Sequence, residues 1–60
     1  MQLKDKVIVV TGGAQGLGLE MARMLAQQGA QLALLDMNAE QLAAAKHELS
    51  GQTTVRTYVT

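Results

Sequence analysis

Cysteine is absent from this 60-residue sequence, and histidine occurs only once. A disulfide framework and a metal site built from cysteine and histidine are therefore not available to it. A chain of this size buries only about 60% of the surface that it exposes when unfolded, and small domains usually compensate with such cross-links. Because neither is available, we expect the sequence to be a piece of a larger domain.

The sequence also lacks a charge imbalance, since its five basic and five acidic residues cancel and no run of Lys or Arg forms a basic patch. Nucleic acids and anionic membrane surfaces are therefore poor candidate partners. Even the longest apolar runs, such as residues 7–10 and 32–35, are far too short to span a bilayer. The N-terminal residues contain no hydrophobic region of a signal peptide, so we expect a cytoplasmic location.

The apolar pattern in the first half predicts a strand, a helix and a second strand. Residues 7–10 form a β-branched run between turn signals, which is typical of a strand buried on both faces of a parallel sheet. A helix is predicted from about Leu17 to Gln28, and Gly29 should end it. Met21 and Met24 are predicted to lie on the side of this helix that faces the core. The second predicted strand covers residues 31–36.

The second half predicts another helix and a third strand. Asn38 and Gln41 form an Asn-led version of the capping box, so a helix should begin there and run to about Leu49. Residues 55–59 alternate apolar and polar side chains, which predicts an edge-like strand. Alternating strands and helices predict an α/β fold with right-handed crossovers and a parallel sheet, in one domain or part of one.

The segment between the first strand and the first helix is rich in glycine. A helix that begins at the carboxyl edge of a parallel sheet presents unsatisfied N–H groups, which attract a phosphate. Gly12, Gly16 and Gly18 keep side chains away from a pyrophosphate, and Gly18 also lets the helix pack tightly on the first strand. Thr11 can fix the turn by a hydrogen bond from its side chain to the backbone.

The spacing of these glycines separates this turn from two commoner phosphate loops. It does not fit Gly-x-Gly-x-x-Gly, and no Lys-Ser or Lys-Thr pair follows the last glycine, which excludes the mononucleotide phosphate loop. We predict that the segment from Thr11 to Gly18 binds the pyrophosphate of a nicotinamide dinucleotide. The alternative is a structural turn that only closes the strand–helix unit.

Asp36 lies about 20 residues beyond the turn, where a carboxylate can accept hydrogen bonds from both hydroxyls of an adenosine ribose. The same charge would repel a 2′-phosphate, and no basic residue is adjacent in sequence, so NAD is predicted over NADP. A polar cap of the strand end is the alternative role for Asp36, but it does not account for the spacing. The predicted cofactor-binding residues are Thr11, Gly12, Gln15, Gly16, Leu17, Gly18, Asp36 and Met37.

The pattern Thr-Gly-x-x-x-Gly-x-Gly from Thr11 to Gly18, followed by Asp36, resembles the start of the short-chain dehydrogenases/reductases. Residues 3–7 are also typical of that family, and the sequence resembles its 3-oxoacyl-[acyl-carrier-protein] reductases. The resemblance implies a Rossmann-type doubly wound parallel sheet, of which this sequence forms only the first βαβαβ unit. It also implies a dimer or tetramer of the complete protein.

For function, the resemblance implies an NAD(P)-dependent oxidoreductase that exchanges hydride with a carbonyl or alcohol substrate, with 3-oxoacyl thioesters among the candidates. An acidic residue at position 36 is unusual for acyl-carrier-protein reductases, which usually prefer NADPH and carry basic residues near the ribose. A non-catalytic dinucleotide sensor or interaction domain is the alternative function. A Tyr-x-x-x-Lys pair later in the reading frame would favour the enzyme.

The catalytic Asn, Ser and Tyr-x-x-x-Lys of the family cannot be assigned to this sequence. Tyr58 lies in the third predicted strand with too few residues after it for the Lys, and Asn38 fits a helix cap. The family's Asp that contacts adenine would follow the third strand beyond Thr60. We therefore expect residues 1–60 to be the N-terminal part of one dinucleotide-binding domain, truncated before its catalytic residues. We also expect His47, on the polar side of the second helix, to be a solvated residue.

Overall fold

The computed structural model describes residues 3–60, so Met1 and Gln2 at the N-terminus lie outside the described residues. The chain alternates three strands and two helices: β1 Val7–Thr11, α1 Gly16–Gln27, β2 Gln31–Asp36, α2 Ala39–Leu49 and β3 Val55–Val59. The strand order is β1-β2-β3, and both pairings are parallel. The predicted α/β order is confirmed, and α1 begins and ends one residue earlier than predicted.

Both helices pack on the same face of the sheet. A chain that moves from strand to strand in one direction, with right-handed crossovers, places its helices on one side. Ala22 and Ala26 allow α1 to lie close to the sheet, since both side chains are small and buried. The core on this face consists of Val10, Ala14, Ala22, Ala26, Leu32, Leu34, Leu42, Ala45, Leu49 and Val55.

The opposite face of the sheet is uncovered within residues 3–60. Val7 and Val9 of β1 are 66% and 60% exposed, and Tyr58 of β3 is 50% exposed. The prediction that β1 is buried on both faces is therefore wrong for the described part of the chain. An apolar run shows that a strand avoids water on both sides, but it does not show which residues provide the cover.

Met21 and Met24 are also exposed, at 55% and 66%, so their predicted place in the core is wrong. The apolar stripe of α1 is wider than the surface that the sheet covers. One row, which includes Ala22 and Ala26, faces the core, while a second row that includes Met21 borders β1. Helical periodicity alone does not distinguish a row that faces the core from one that lies beside it.

The ends of the helices agree with the predicted signals. Gly29 follows α1 with φ of +86°, and its N–H donates to the carbonyl oxygen of Ala26 at 3.0 Å. Asn38 caps α2, because its Oδ1 accepts a hydrogen bond from the Gln41 N–H at 3.0 Å. Within residues 3–60, neither helix is long and apolar enough to cross a membrane.

The two helices are joined on their solvent side by an ion pair. The Nε of Arg23 donates to Glu48 of α2 at 2.7 Å, and its Nη1 donates to Glu20 at 2.7 Å. The hydrogen bond from Arg23 lowers the pKa of Glu48 below its ordinary value, and the same bond raises the pKa of Arg23. Because both groups are exposed, this pair orients the helices and adds little to stability.

We expect the 60-residue segment, expressed alone, to associate. Within residues 3–60, β1 pairs only with β2, so its outer edge, next to the exposed Val7 and Val9, is a template for strand addition. Sedimentation should show concentration-dependent aggregates. The variant Val9→Lys, which places a charge on this strand, should aggregate less. A soluble monomer of the segment with a sharp, cooperative thermal transition would contradict this prediction.

Candidate functional site

The three strands are parallel, so their carboxyl ends meet at one edge of the sheet. Thr11 ends β1, Asp36 ends β2, and Thr60 follows β3. Open α/β sheets bind ligands at this edge. A cleft of about 420 Å³ lies there, lined by Thr11, Gly12, Gln15, Leu35, Asp36, Met37 and Thr60. All of these residues except Leu35 and Thr60 belong to the predicted cofactor-binding set.

Gly12 and Gly16 give the turn between β1 and α1 its shape. Their φ angles are +66° and +58°, a backbone conformation that other residues rarely adopt. A Cβ atom at either position would meet no atom within 4 Å. The backbone at these two glycines is therefore open to the approach of a ligand.

Gly18 is required for a different reason, which is close packing. A Cβ atom on Gly18 would overlap the carbonyl oxygen of Gly12 and would lie 2.7 Å from its carbonyl carbon. The close neighbour of Gly18 is thus the turn itself, and not the first strand, on which the sequence predicted the helix to pack. Gly18 lets the first turn of α1 lie directly against Gly12 and Gly13.

The start of α1 has free backbone donors. Gln15 precedes the helix without a capping hydrogen bond from its side chain, and no acidic residue lies in the first turn. Within residues 3–60, the N–H groups of Gly16, Leu17 and Gly18 donate no hydrogen bond. By contrast, α2 is capped by Asn38 and carries an acidic residue in its first turn. Free donors at the positive end of a helix dipole form a surface that attracts anions.

Asp36 is buried, with 6% of its surface exposed, and both carboxylate oxygens contact backbone N–H groups. Its Oδ2 accepts a hydrogen bond from the Ala14 N–H at 3.2 Å. Its Oδ1 accepts one from the Asn38 N–H at 3.0 Å, which is the donor that the side chain of Gln41 would contact in a complete capping box. An ionised carboxylate has about four lone-pair sites, so both oxygens can still accept hydrogen bonds from hydroxyl groups in the cleft.

The turn is anchored to β2 in a way that the sequence did not indicate. The Gly13 N–H donates to the carbonyl oxygen of Leu35 at 3.2 Å, beside the bond from Ala14 to Asp36. We find no hydrogen bond from the Thr11 hydroxyl within residues 3–60, so the predicted anchor through Thr11 is wrong. A backbone acceptor such as Leu35 has no sequence signal, because its position depends on the pairing of β1 with β2.

The remaining predicted residues lie on the other side of the turn. Leu17 and Gly18 line a second cleft of about 370 Å³ between α1 and β1, together with Ile8, Val9, Val10, Thr11, Met21 and Leu25. Thr11 borders both clefts, so the glycine turn separates them. Leu17 and Met37 are each 83% exposed, one on each side of the turn. The predicted residues are thus divided between the two clefts, except Gly16, which lines neither.

Two residues with reactive side chains line neither cleft. His47 is an exposed residue of α2, as predicted. Tyr58 lies in β3, where it pairs with Leu35 of β2, and its side chain is half exposed on the uncovered face of the sheet. No group of three or more potential metal ligands occurs in the part of the chain that the structure describes.

A sequence model of the short chain dehydrogenase family matches residues 6–60. The chain belongs to the short-chain dehydrogenase family. Among its relatives, a 3-oxoacyl-[acyl-carrier-protein] reductase of Chlamydia trachomatis is 41% identical over 51 residues, which cover 85% of this chain and 21% of that protein.

Solved structures of other dehydrogenases and reductases also resemble this chain. The structure of NAD+-bound xylitol dehydrogenase superposes with a TM-score of 0.92 and 38% identity, over 98% of this chain and 23% of that one. The L-sorbose reductase of Gluconobacter frateurii, complexed with NADPH and L-sorbose, superposes with a TM-score of 0.94 and 28% identity, over 100% of this chain and 24% of that one. The chain therefore spans about a quarter of these proteins, and the Rossmann-type fold of the unit is confirmed.

Proposed function

We propose that this chain is the N-terminal part of a single dinucleotide-binding domain in an oxidoreductase that prefers NAD. The complete protein would exchange hydride with a carbonyl or an alcohol and would assemble as a dimer or tetramer. One observation carries the proposal: a buried carboxylate, Asp36, lies beside an uncapped, glycine-lined helix start at the same edge of the sheet. The two features together match the two polar parts of a dinucleotide, its ribose hydroxyls and its pyrophosphate.

The pyrophosphate would lie on the turn. The free N–H groups of Gly16, Leu17 and Gly18 are charge-assisted donors to a phosphate, and the helix dipole favours its negative charge. Gly12 and Gly16 leave the backbone accessible, since no atom lies within 4 Å of where their Cβ atoms would be. Among residues 3–60, no Lys or Arg lines either cleft, so the donors that this segment offers the anion are backbone N–H groups.

The adenosine ribose would lie in the first cleft, against Asp36. The carboxylate of Asp36 can accept hydrogen bonds from both ribose hydroxyls. A 2′-phosphate would instead place like charges together in a cleft that no basic residue of the described chain lines. The exposed side chain of Met37 lies at the same cleft and offers an apolar surface. These features support NAD over NADP. Of the two solved structures named above, one holds NAD+ and the other holds NADPH.

A bound nicotinamide supplies the hydride chemistry, and the residues of this segment bind and orient the cofactor. The relatives' names include a sugar alcohol, a ketose and a 3-oxoacyl thioester, which share a carbonyl or alcohol carbon. We propose this chemical class for the substrate, with 3-oxoacyl thioesters included among the compounds to test.

A titration of the complete protein with NADH and NADPH tests the proposal. We expect NADH to bind at least about ten times more tightly than NADPH. A factor of ten in affinity corresponds to about 1.4 kcal/mol, and a like-charge contact costs more than that. Nicotinamide fluorescence would give both dissociation constants. The variant Gly51→Ala, at an open turn remote from the cleft, is the control and should bind as the wild type does.

Two outcomes would contradict the proposal. Absence of binding for both dinucleotides would exclude the dinucleotide site, and tighter binding of NADPH would exclude the role of Asp36 in cofactor choice. Binding without hydride transfer to any carbonyl or from any alcohol would favour a non-catalytic sensor.

A further inference from the structure

Asp36 contacts more of the site than a ribose contact requires. Its two carboxylate oxygens contact the N–H groups of Ala14 and Asn38, which belong to two different turns. Ala14 lies in the glycine turn before α1, and Asn38 begins α2. A buried carboxylate needs hydrogen-bond donors, and here one of the two donors belongs to the glycine turn.

We propose that Asp36 is also a positioning residue that holds the glycine turn in the shape required for the pyrophosphate. This inference rests on the proposed dinucleotide function. Asp36 thereby links the two ends of the cofactor site: it lines the cleft, and its oxygen Oδ2 holds the turn through Ala14.

The geometry of the turn supports this role. Gly12 and Gly16 flank Ala14 with positive φ angles, so the segment between them has an unusual backbone shape. Within residues 3–60, two hydrogen bonds join this segment to β2: the Gly13 N–H to the carbonyl of Leu35, and the Ala14 N–H to Asp36. The first needs no side chain. The second depends on Asp36 alone.

The burial of Asp36 strengthens the second bond. The residue is only 6% exposed, so water competes poorly for its oxygens, and hydrogen bonds to a charged group are stronger than neutral ones. Removal of one of two anchors should loosen the turn without unfolding it. The expected loss is therefore partial, and it should affect any ligand whose phosphates lie on the turn.

The nearly isosteric variant Asp36→Asn separates the two roles. An asparagine side chain has one acceptor oxygen where the carboxylate has two, and that oxygen is uncharged, so its bond from the Ala14 N–H is either lost or weakened. Two probes are titrated into the complete protein: NADH, and a synthetic NADH whose adenosine ribose lacks the 2′ and 3′ hydroxyls. The matched control is Glu40→Gln, which removes an exposed carboxylate from the first turn of α2.

We expect Asp36→Asn to weaken the dideoxy probe about fivefold, the equivalent of one lost hydrogen bond, while Glu40→Gln leaves it unchanged. A contact that serves the ribose alone predicts no change for this probe, since the hydroxyls are missing. Equal affinity of wild type and Asp36→Asn for the dideoxy probe would therefore overturn the inference, even if NADH binding falls.

Hydrogen exchange provides a second measurement, which needs no cofactor. Its first comparison is made within the wild type, and its second is between the wild type and Asp36→Asn. The Ala14 amide should exchange more slowly than the free amides of Gly16 and Leu17, and Asp36→Asn should accelerate Ala14 but not the core strand β2. Equal exchange at these amides in the wild type would overturn the inference. If the wild type bound neither dinucleotide, the proposed function would fail, and exchange alone would then decide whether Asp36 holds the turn.

Discussion

Replacement of Asp36 by alanine in the complete protein should weaken the binding of NADH by roughly tenfold to a hundredfold, because a hydrogen bond to a charged group contributes about 1.5–3 kcal/mol. The binding of NADPH should weaken much less. Both cofactors lose the anchored turn, but only NADH loses favourable contacts between its ribose hydroxyls and the carboxylate. NADPH instead loses a repulsion.

The preference between the cofactors is the quantity to measure, by titration of wild type and variant with each. Glu40→Gln again serves as the control, since it removes a nearby exposed carboxylate that lines neither cleft. Thermal unfolding of each variant shows whether the fold is retained, because Asp36 also caps the turn into α2. Equal losses for NADH and NADPH would refute the contact of Asp36 with the ribose.

Replacement of Gly18 by alanine should destabilise the protein by about 1–3 kcal/mol or more and should sharply reduce the binding of both cofactors. The added Cβ would lie 2.7 Å from the carbonyl carbon of Gly12, which is backbone and cannot rotate away as a side chain can. Either the turn or the start of α1 must therefore move. Such a movement displaces the free N–H groups that would contact the pyrophosphate.

Gly51→Ala is the matched control for this substitution. A Cβ at Gly51 meets no atom within 4 Å, and Gly51 is not among the glycines with positive φ. Its free energy of unfolding should change by less than about 0.5 kcal/mol, or rise slightly. Chemical denaturation and cofactor titration of both variants make the comparison. Wild-type stability and cofactor affinity in Gly18→Ala would show that the close contact at the turn is unimportant.

The secondary structure was predictable because its signals are local. The β-branched run of β1, the glycine after α1 and the Asn38 cap of α2 each act within a few residues, and the structure places each element where its signal indicated. The glycine spacing and Asp36 also indicated the family, which the comparison confirms.

Predictions from the sequence were wrong where the outcome depended on which surfaces meet. Met21 and Met24 fit a helical apolar stripe, and β1 fits a fully buried strand, yet all have exposed side chains within residues 3–60. Periodicity reports that a side chain is apolar, and it does not report how wide the facing surface is. The Thr11 hydroxyl likewise had the right chemistry for an anchor, but strand pairing placed the carbonyl of Leu35 within reach of the turn.

The sequence by itself determined the order of strands and helices, the glycine turn, and the presence of a carboxylate at the end of β2. These depend on backbone freedom, capping and periodicity, which act over short stretches of chain. Only the tertiary structure decided that Gly18 packs on Gly12, that Leu35 and Asp36 hold the turn, and that the helices cover one face of the sheet. The contact of Gly18 with Gly12 arises from the shape of the turn between them. The other two facts arise from the parallel pairing of strands separated by a helix, which brings residues more than twenty positions apart into contact.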